Sequence, residues 1–262
     1  MLTPQQLKHY ETFGFAILQD YFTSKEMDTI SDELDRGLDA AYPHEPFDGS
    51  LRQWSLLMGP ETPFYAHLGE DPRFCEVAEQ LHGEDCFLMG SDANRYIGDT
   101  HWHPDHGVDP TKDCWGVKFA FYLDPVDADT GALRIIPGSH RNPYHDDVEA
   151  TLSETKPAIN EVPSFACEAE PGDVVALDMR CWHASYGGSK GRRMSTVVFY
   201  TNPHTPIEEE ATRHRARINA GSLPRFRRPN DPMYDPHWLS NPEANERRAR
   251  WIHRLGELAF LD

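Results

Sequence analysis

The sequence predicts a mainly β protein with flanking helices, and three observations carry that expectation. From residue 86 onward, short runs rich in Val, Ile, Phe and Tyr recur at 86–98, 115–126, 132–140, 172–179 and 194–202. Turn residues bound them: Gly98-Asp99, Asp129-Thr130-Gly131, Pro137-Gly138 and Gly187-Gly188. Before residue 85 the apolar spacing is helical instead. Closely spaced short strands of this kind build a sandwich or barrel rather than βαβ units.

The elements follow in order. Thr3-Pro4-Gln5-Gln6 reads as a helix start, with a hydroxyl cap, Pro at the first helical position and Gln three residues on. Residues 14–22 form a short apolar strand. Thr23-Ser24-Lys25-Glu26 is a second capping box, opening a helix to about Leu38 in which Met27, Ile30, Leu34 and Leu38 recur at helical spacing. Residues 41–66, rich in Pro, Gly and aromatics, read as a loop or lid. Residues 71–83 form another helix ending at Gly83. After the strand runs, the Arg-rich stretch near 213–228 reads as irregular. Residues 243–261 then form an amphipathic helix, with Trp251, Ile252, Leu255, Leu258 and Ala259 on the side that packs against the barrel. No internal repeat or domain boundary is visible. The expectation is a single domain over 1–262, with helices across 1–84, a β core about 86–202 and a C-terminal extension 203–262.

Composition narrows the function. The 262 residues carry a formal net charge of −18, which repels phosphate backbones and anionic membrane faces. Nucleic acid and membranes are therefore not expected partners; a small molecule is, with the protein a monomer or homodimer. The N-terminus has no basic start followed by an apolar run, and 115–123 is far too short to span a bilayer. Five cysteines form no CxxC pair, so reduced, buried thiols and a cytoplasmic location are expected.

The chemistry concentrates in Asp99-Thr100-His101-Trp102-His103-Pro104-Asp105-His106. On an extended chain His101, His103 and Asp105 share one face, so an imidazole and a carboxylate two residues apart reach one metal ion without distorting the backbone. His183, at the end of the strand run 172–179 and before the turn at Gly187-Gly188, offers a third ligand. Two histidines and one carboxylate form a facial triad that leaves adjacent positions open, which suits iron(II) oxygen chemistry; a zinc hydrolase can use the same set. Beyond His183, Arg193 and Ser195 share a strand face and make a receptor for a carboxylate. Arg192 is the alternative anchor.

These motifs together resemble the phytanoyl-CoA dioxygenase (PhyH-like) family of iron(II)/2-oxoglutarate oxygenases. The helix–strand–capped helix opening, THWHPD, DADTGALRIIPGSH and GDVVALDMRCWHASYGGSKGRRMS carry the resemblance over about residues 3–202. It implies a double-stranded β-helix (jelly roll, cupin-like) core, Fe(II) held by His103, Asp105 and His183, and Arg193 on the distal carboxylate of 2-oxoglutarate. Ser195, Lys118 and Thr130 are the further candidate cosubstrate contacts. The resemblance further implies O2 as the oxidant, with succinate and CO2 released as a C–H bond is hydroxylated. Related halogenases lack the carboxylate that Asp105 supplies, so hydroxylation, desaturation or epoxidation is expected rather than halogenation. Trp54, Tyr96, Trp102, Phe121 and Trp182 are candidate lining residues, with an ordinary aromatic core as the bland alternative. The rival functions are a zinc hydrolase or isomerase, which leaves the Arg193-x-Ser195 pair unexplained, or a non-catalytic ligand-binding protein that would not consume 2-oxoglutarate, on a cupin-like barrel.

Overall fold

The computed structural model describes residues 1–226 and 232–262. Helix α1 (Pro4–Phe13) opens with the expected box: the Gln6 backbone N–H donates to the Thr3 hydroxyl, and the Gln6 side chain accepts from the Thr3 N–H. Gly14 turns the chain at φ +83, a left-handed conformation that suits glycine, into β1 (Phe15–Leu18). In α2 (Ser24–Ala41) Thr23 and Glu26 repeat the box, and Met27, Ile30, Leu34 and Leu38 are buried.

Residues 41–66 are not simply a loop. They contain β2 (Gln53–Leu56) and the start of α3 (Pro63–Leu68). After α4 (Pro72–His82) comes β3 (Phe87–Ile97), and β2 joins its edge with Gln53 opposite Arg95 and Trp54 opposite Asn94. Long-range pairing makes a strand where local composition favours a loop. The chain continues through β4 (Thr100–His103), β5 (Gly116–Tyr122), β6 (Leu133–Ile135), α5 (Tyr144–Thr155), β7 (Phe165–Cys167), β8 (Val174–Asp178), β9 (His183–Ser185) and β10 (Lys190–Tyr200). Of these, α5, β7 and β9 are not anticipated from sequence, and β10 starts four residues before its apolar run.

The strands form two antiparallel sheets, one of six strands in the order β1-β8-β5-β10-β3-β2 and one of four in the order β4-β9-β6-β7. This is the jelly roll with flanking helices. On the large sheet, alternation decides what faces where. Phe119, Phe121, Val197 and Phe199 point outward and share a core with Leu34, Leu38, Phe74 and Trp251 of the helices. The opposite parity, Lys118, Ala120 and Tyr122 on β5 with Met194 and Thr196 on β10, faces the interior cavity.

The C-terminal extension is more regular than its composition suggests. A third capping box, Thr205 with Glu208, opens α6 (Pro206–Ser222), and its arginines find acids: Arg213 on Glu209, Arg215 on Asp113. Arg227 and Arg228 of the Arg-rich stretch lie outside the described residues. After α7 (Pro236–Ser240), the amphipathic α8 (Glu246–Glu257) buries Trp251 and Leu255 as expected. No described helix is long and apolar enough to cross a membrane, and all five cysteines are free and buried.

Arg248 of α8 is 1% exposed and pairs with Glu70, in the turn between α3 and α4, and with Glu243. Removing Glu70 leaves this buried charge to Glu243 alone, and under-compensating a buried charge costs up to several kcal/mol. Glu70→Ala is expected to lower unfolding free energy by about 3 kcal/mol, read as a shift of the urea midpoint at unchanged slope.

Candidate metal centre and cavity

His103 ends β4 and stands directly opposite His183 at the start of β9, with ring centroids 4.4 Å apart. A bulge between Thr100 and His103 breaks the simple alternation. His101 is consequently exposed and outside the cluster, so the imidazole pairs it would have formed with Asp105 or His103 are not those assembled. His183 opens its own strand instead of ending β8. Asp105 follows β4 in a turn pinned to the other sheet: the N–H groups of Asp105 and His106 both donate to Met179 O, at 3.0 Å. Ligating atoms of His103, Asp105 and His183 lie within 4.8 Å of one another.

Both imidazoles are oriented by the backbone. Nδ1 of His103 lies 2.7 Å from His101 O, and Nδ1 of His183 lies 2.9 Å from Cys181 O. A carbonyl only accepts, so each Nδ1 carries the proton and each Nε2 keeps its lone pair for a metal. The Nε2 atoms approach the Asp105 carboxylate to 4.0 Å and 3.7 Å. Burial lowers the His183 pKa to about 4, so it is neutral at physiological pH. Burial pushes the Asp105 carboxyl up, but the Lys118 ammonium and the two histidines outweigh it and hold the group well below the usual carboxylate range. Two imidazoles that present Nε2 and one ionised carboxylate fit iron(II).

The triad opens into a cavity of about 220 Å³. Arg192 also lines it, 5% exposed, and its Nη2 donates to Ser185 Oγ at 3.1 Å. Its Nε and Nη1 are buried without a partner, a cost that an anionic ligand would relieve. The guanidinium threads between two turns that only glycine permits. A Cβ at Gly131, where φ is +101, would collide with Nη1, and so would one at Gly188.

Arg193, the expected anchor, points the other way. It pairs with Asp124 at 2.7 Å and Asp35 at 3.1 Å, and donates to Ser31. Ser195 is also on the outer face, 2.5 Å from the Tyr65 hydroxyl. Thr130 closes an exposed turn with Asp127 and does not line the cavity. Lys118 does line it, bonded to Asp105. Among the candidate aromatics, Trp54 and Tyr96 line the cavity; Phe121 is core, and Trp102 and Trp182 pack around Ile136 and Val148.

Sequence reasoning missed Arg52, Asp92 and Asn94. Arg52 donates through Nε to Asn94 Oδ1 at 3.1 Å, and Asn94 donates to Asp92 at 2.9 Å. Trp54 and Thr196 also donate to Asp92, at 3.1 and 2.9 Å. Burial raises the Asp92 pKa despite these bonds. The signal for Asp92 and Asn94 was their alternation on β3, which sets them level with Thr196 and Met194 of β10 and so with Ala120 and Tyr122; Arg52, ahead of β2, carries no local signal. A second chamber of about 220 Å³ shares Arg52, Trp54, Asp92 and Lys118 with the first and is walled by Asn219, Ser222, Phe226 and Met233.

Residues 10–195 match the family described as phytanoyl-CoA dioxygenase (PhyH). The chain belongs to this family. It is a 2-oxoglutarate-dependent dioxygenase that works with iron. Its curated relatives include the ectoine dioxygenase of Bordetella bronchiseptica, 26% identical over 239 residues, covering 86% of this chain and 73% of that protein. That of Sphingopyxis alaskensis is 25% identical over 219 residues, 71% of each chain. Similar solved structures include EvdO2 from Micromonospora carbonacea var. aurantiaca complexed with 2-oxoglutarate, with TM-score 0.57, 22% identity, and 79% of this chain and 96% of that one covered. EctD from S. alaskensis with bound Fe gives TM-score 0.58 and 19% identity, covering 79% and 80%. These structural likenesses bear on the fold.

Burial lowers the pKa of His82, His106 and His183 to about 4 each, against 6.5 for a free histidine. The unfolded chain therefore binds more protons between about 4 and 6.5, and folding stability falls as pH falls through that window. For metal-free protein, the urea unfolding free energy is expected to drop by about 1 kcal/mol or more from pH 7.5 to 5.5. An unchanged value would mean that these imidazoles take up protons within the fold.

Proposed function

We propose that this chain hydroxylates a C–H bond of a small, polar metabolite, with His103, Asp105 and His183 holding iron(II) and Arg192 binding the distal carboxylate of 2-oxoglutarate. One observation carries the reading: a buried guanidinium with partnerless donors and a two-histidine, one-carboxylate triad line the same cavity. The hydrolase reading by itself leaves that anion receptor unexplained.

Bound iron and 2-oxoglutarate supply oxygen activation, with release of succinate and CO2. The chain supplies the geometry. Backbone carbonyls keep both Nε2 atoms deprotonated and aimed inward. Ser185 and the Gly131 and Gly188 turns fix the Arg192 fork, which suits a planar carboxylate. Leu133, Leu177, Ala120 and Ala184 provide apolar wall between these groups and exclude water. The bonded row Arg52–Asn94–Asp92 offers polar contacts on the sheet side, which supports a polar substrate of the size class of the ectoine named in the curated relatives. Asp105 occupies the position whose carboxylate favours oxygen transfer over halide capture.

Anaerobic addition of 2-oxoglutarate to the iron(II)-loaded protein is expected to raise a visible charge-transfer band. His103→Ala and Asp105→Ala are expected to abolish both the band and substrate-dependent succinate. Arg192→Leu is expected to weaken 2-oxoglutarate binding about 100-fold, the loss typical of a buried charge-assisted pair. Arg193→Leu, which severs ion pairs on the outer face, is expected to leave that affinity unchanged and to lower thermal stability. Equal 2-oxoglutarate affinity in the two variants would sink the assignment of Arg192.

A further inference from the structure

Packing gives no reason for a cation at position 118. On β5, Lys118 stands opposite Val198 of β10 and Leu177 of β8, and its side chain is 19% exposed. A charge so placed is costly unless paired. Its carboxylate partner is Asp105, whose Oδ2 lies 2.5 Å from Nζ. The backbone of Asp105 is already fixed by the bond to Met179 O, so rotation of the carboxylate is the freedom left, and the ammonium removes it. His103 Nε2 comes closest to Oδ1, at 4.0 Å, and His183 Nε2 to Oδ2, at 3.7 Å, so both oxygens face the imidazoles and only the ammonium distinguishes them.

A carboxylate takes a metal ion through one oxygen or through both. Ligation through both would consume a position that a chelating cosubstrate and oxygen need. Taking the iron and 2-oxoglutarate reading as given, we propose that Lys118 is a positioning residue: its ammonium occupies Oδ2 of Asp105, restricts the metal to Oδ1, and so keeps three adjacent coordination positions open. This role differs from a direct contact with 2-oxoglutarate. It also runs against simple electrostatics, because a cation beside the triad weakens the attraction for a divalent ion. A charge that lowers metal affinity and yet sits on a ligand oxygen is there for geometry.

The two consequences have opposite signs, and Lys118→Met separates them. Cobalt(II) is expected to bind the variant at least as tightly as wild type, with a gain of up to about tenfold. Its ligand-field spectrum, recorded before any 2-oxoglutarate is added, is expected to differ from wild type because the carboxylate is free to chelate. The iron(II)-loaded variant is expected to lose about tenfold or more in 2-oxoglutarate affinity, with a shifted charge-transfer band. Lys118→Arg, which keeps donor and charge, is expected to restore the wild-type spectra. A cobalt spectrum unchanged in Lys118→Met, whether or not 2-oxoglutarate affinity falls, overturns the proposal, as does a loss of cobalt affinity. Should Lys118→Met not fold, ammonium NMR of 15N-lysine-labelled, zinc-loaded wild type decides: a hydrogen-bonded, slowly exchanging Lys118 signal is expected, and its absence overturns the proposal. A wild-type enzyme without a charge-transfer band would count against the iron and 2-oxoglutarate reading, while the cobalt arm would still test Lys118.

Discussion

The site depends on one strand pairing. β4 and β9 are eighty residues apart in the chain, and their register sets His103 across from His183. Ile135 of β6 flanks His183 on the other side and locks β9 in place. Asp105 is then delivered by a turn whose backbone is bonded to Met179, at the end of β8 in the six-stranded sheet. The centre therefore lies where the two sheets are tied together. A slip of one residue in the β4–β9 register would turn His103 to the opposite face.

What is legible in the sequence is local chemistry. The capping boxes at Thr3 and Thr23, the apolar strand runs and the His-x-Asp spacing each fix their own neighbourhood. What is not legible comes from partners far along the chain. β2 exists because β3 offers it an edge, and β9 exists because β4 and β6 flank it. By sequence alone His183 reads as a continuation of the run before it. In the structure Arg180 closes a turn onto Asp178, and the histidine starts a new strand after it. The Arg-rich stretch reads as irregular because it carries few apolar residues to mark a helical face. The acids Glu209 and Asp113 satisfy its arginines only in three dimensions.

The adjacent arginines of β10 show how parity alone separates two jobs. Successive side chains leave a strand on opposite faces, so Arg193 meets Asp124 and Asp35 under the helices while Arg192 enters the cavity. The pairing of Phe119 with Val197 and of Phe121 with Ser195 fixes which is which, since those phenylalanines belong to the helix-covered core. One guanidinium is neutralised by carboxylates and ties α2 to the sheet. Its neighbour keeps two donors without partners.

The family match ends at residue 195, whereas the second chamber takes Asn219, Ser222, Phe226 and Met233 from the chain beyond it. Reactive machinery and outer wall thus occupy separate stretches of polypeptide. A laboratory library confined to the positions of α6 and its sequel that face this chamber would alter the wall while leaving the triad's own residues in place.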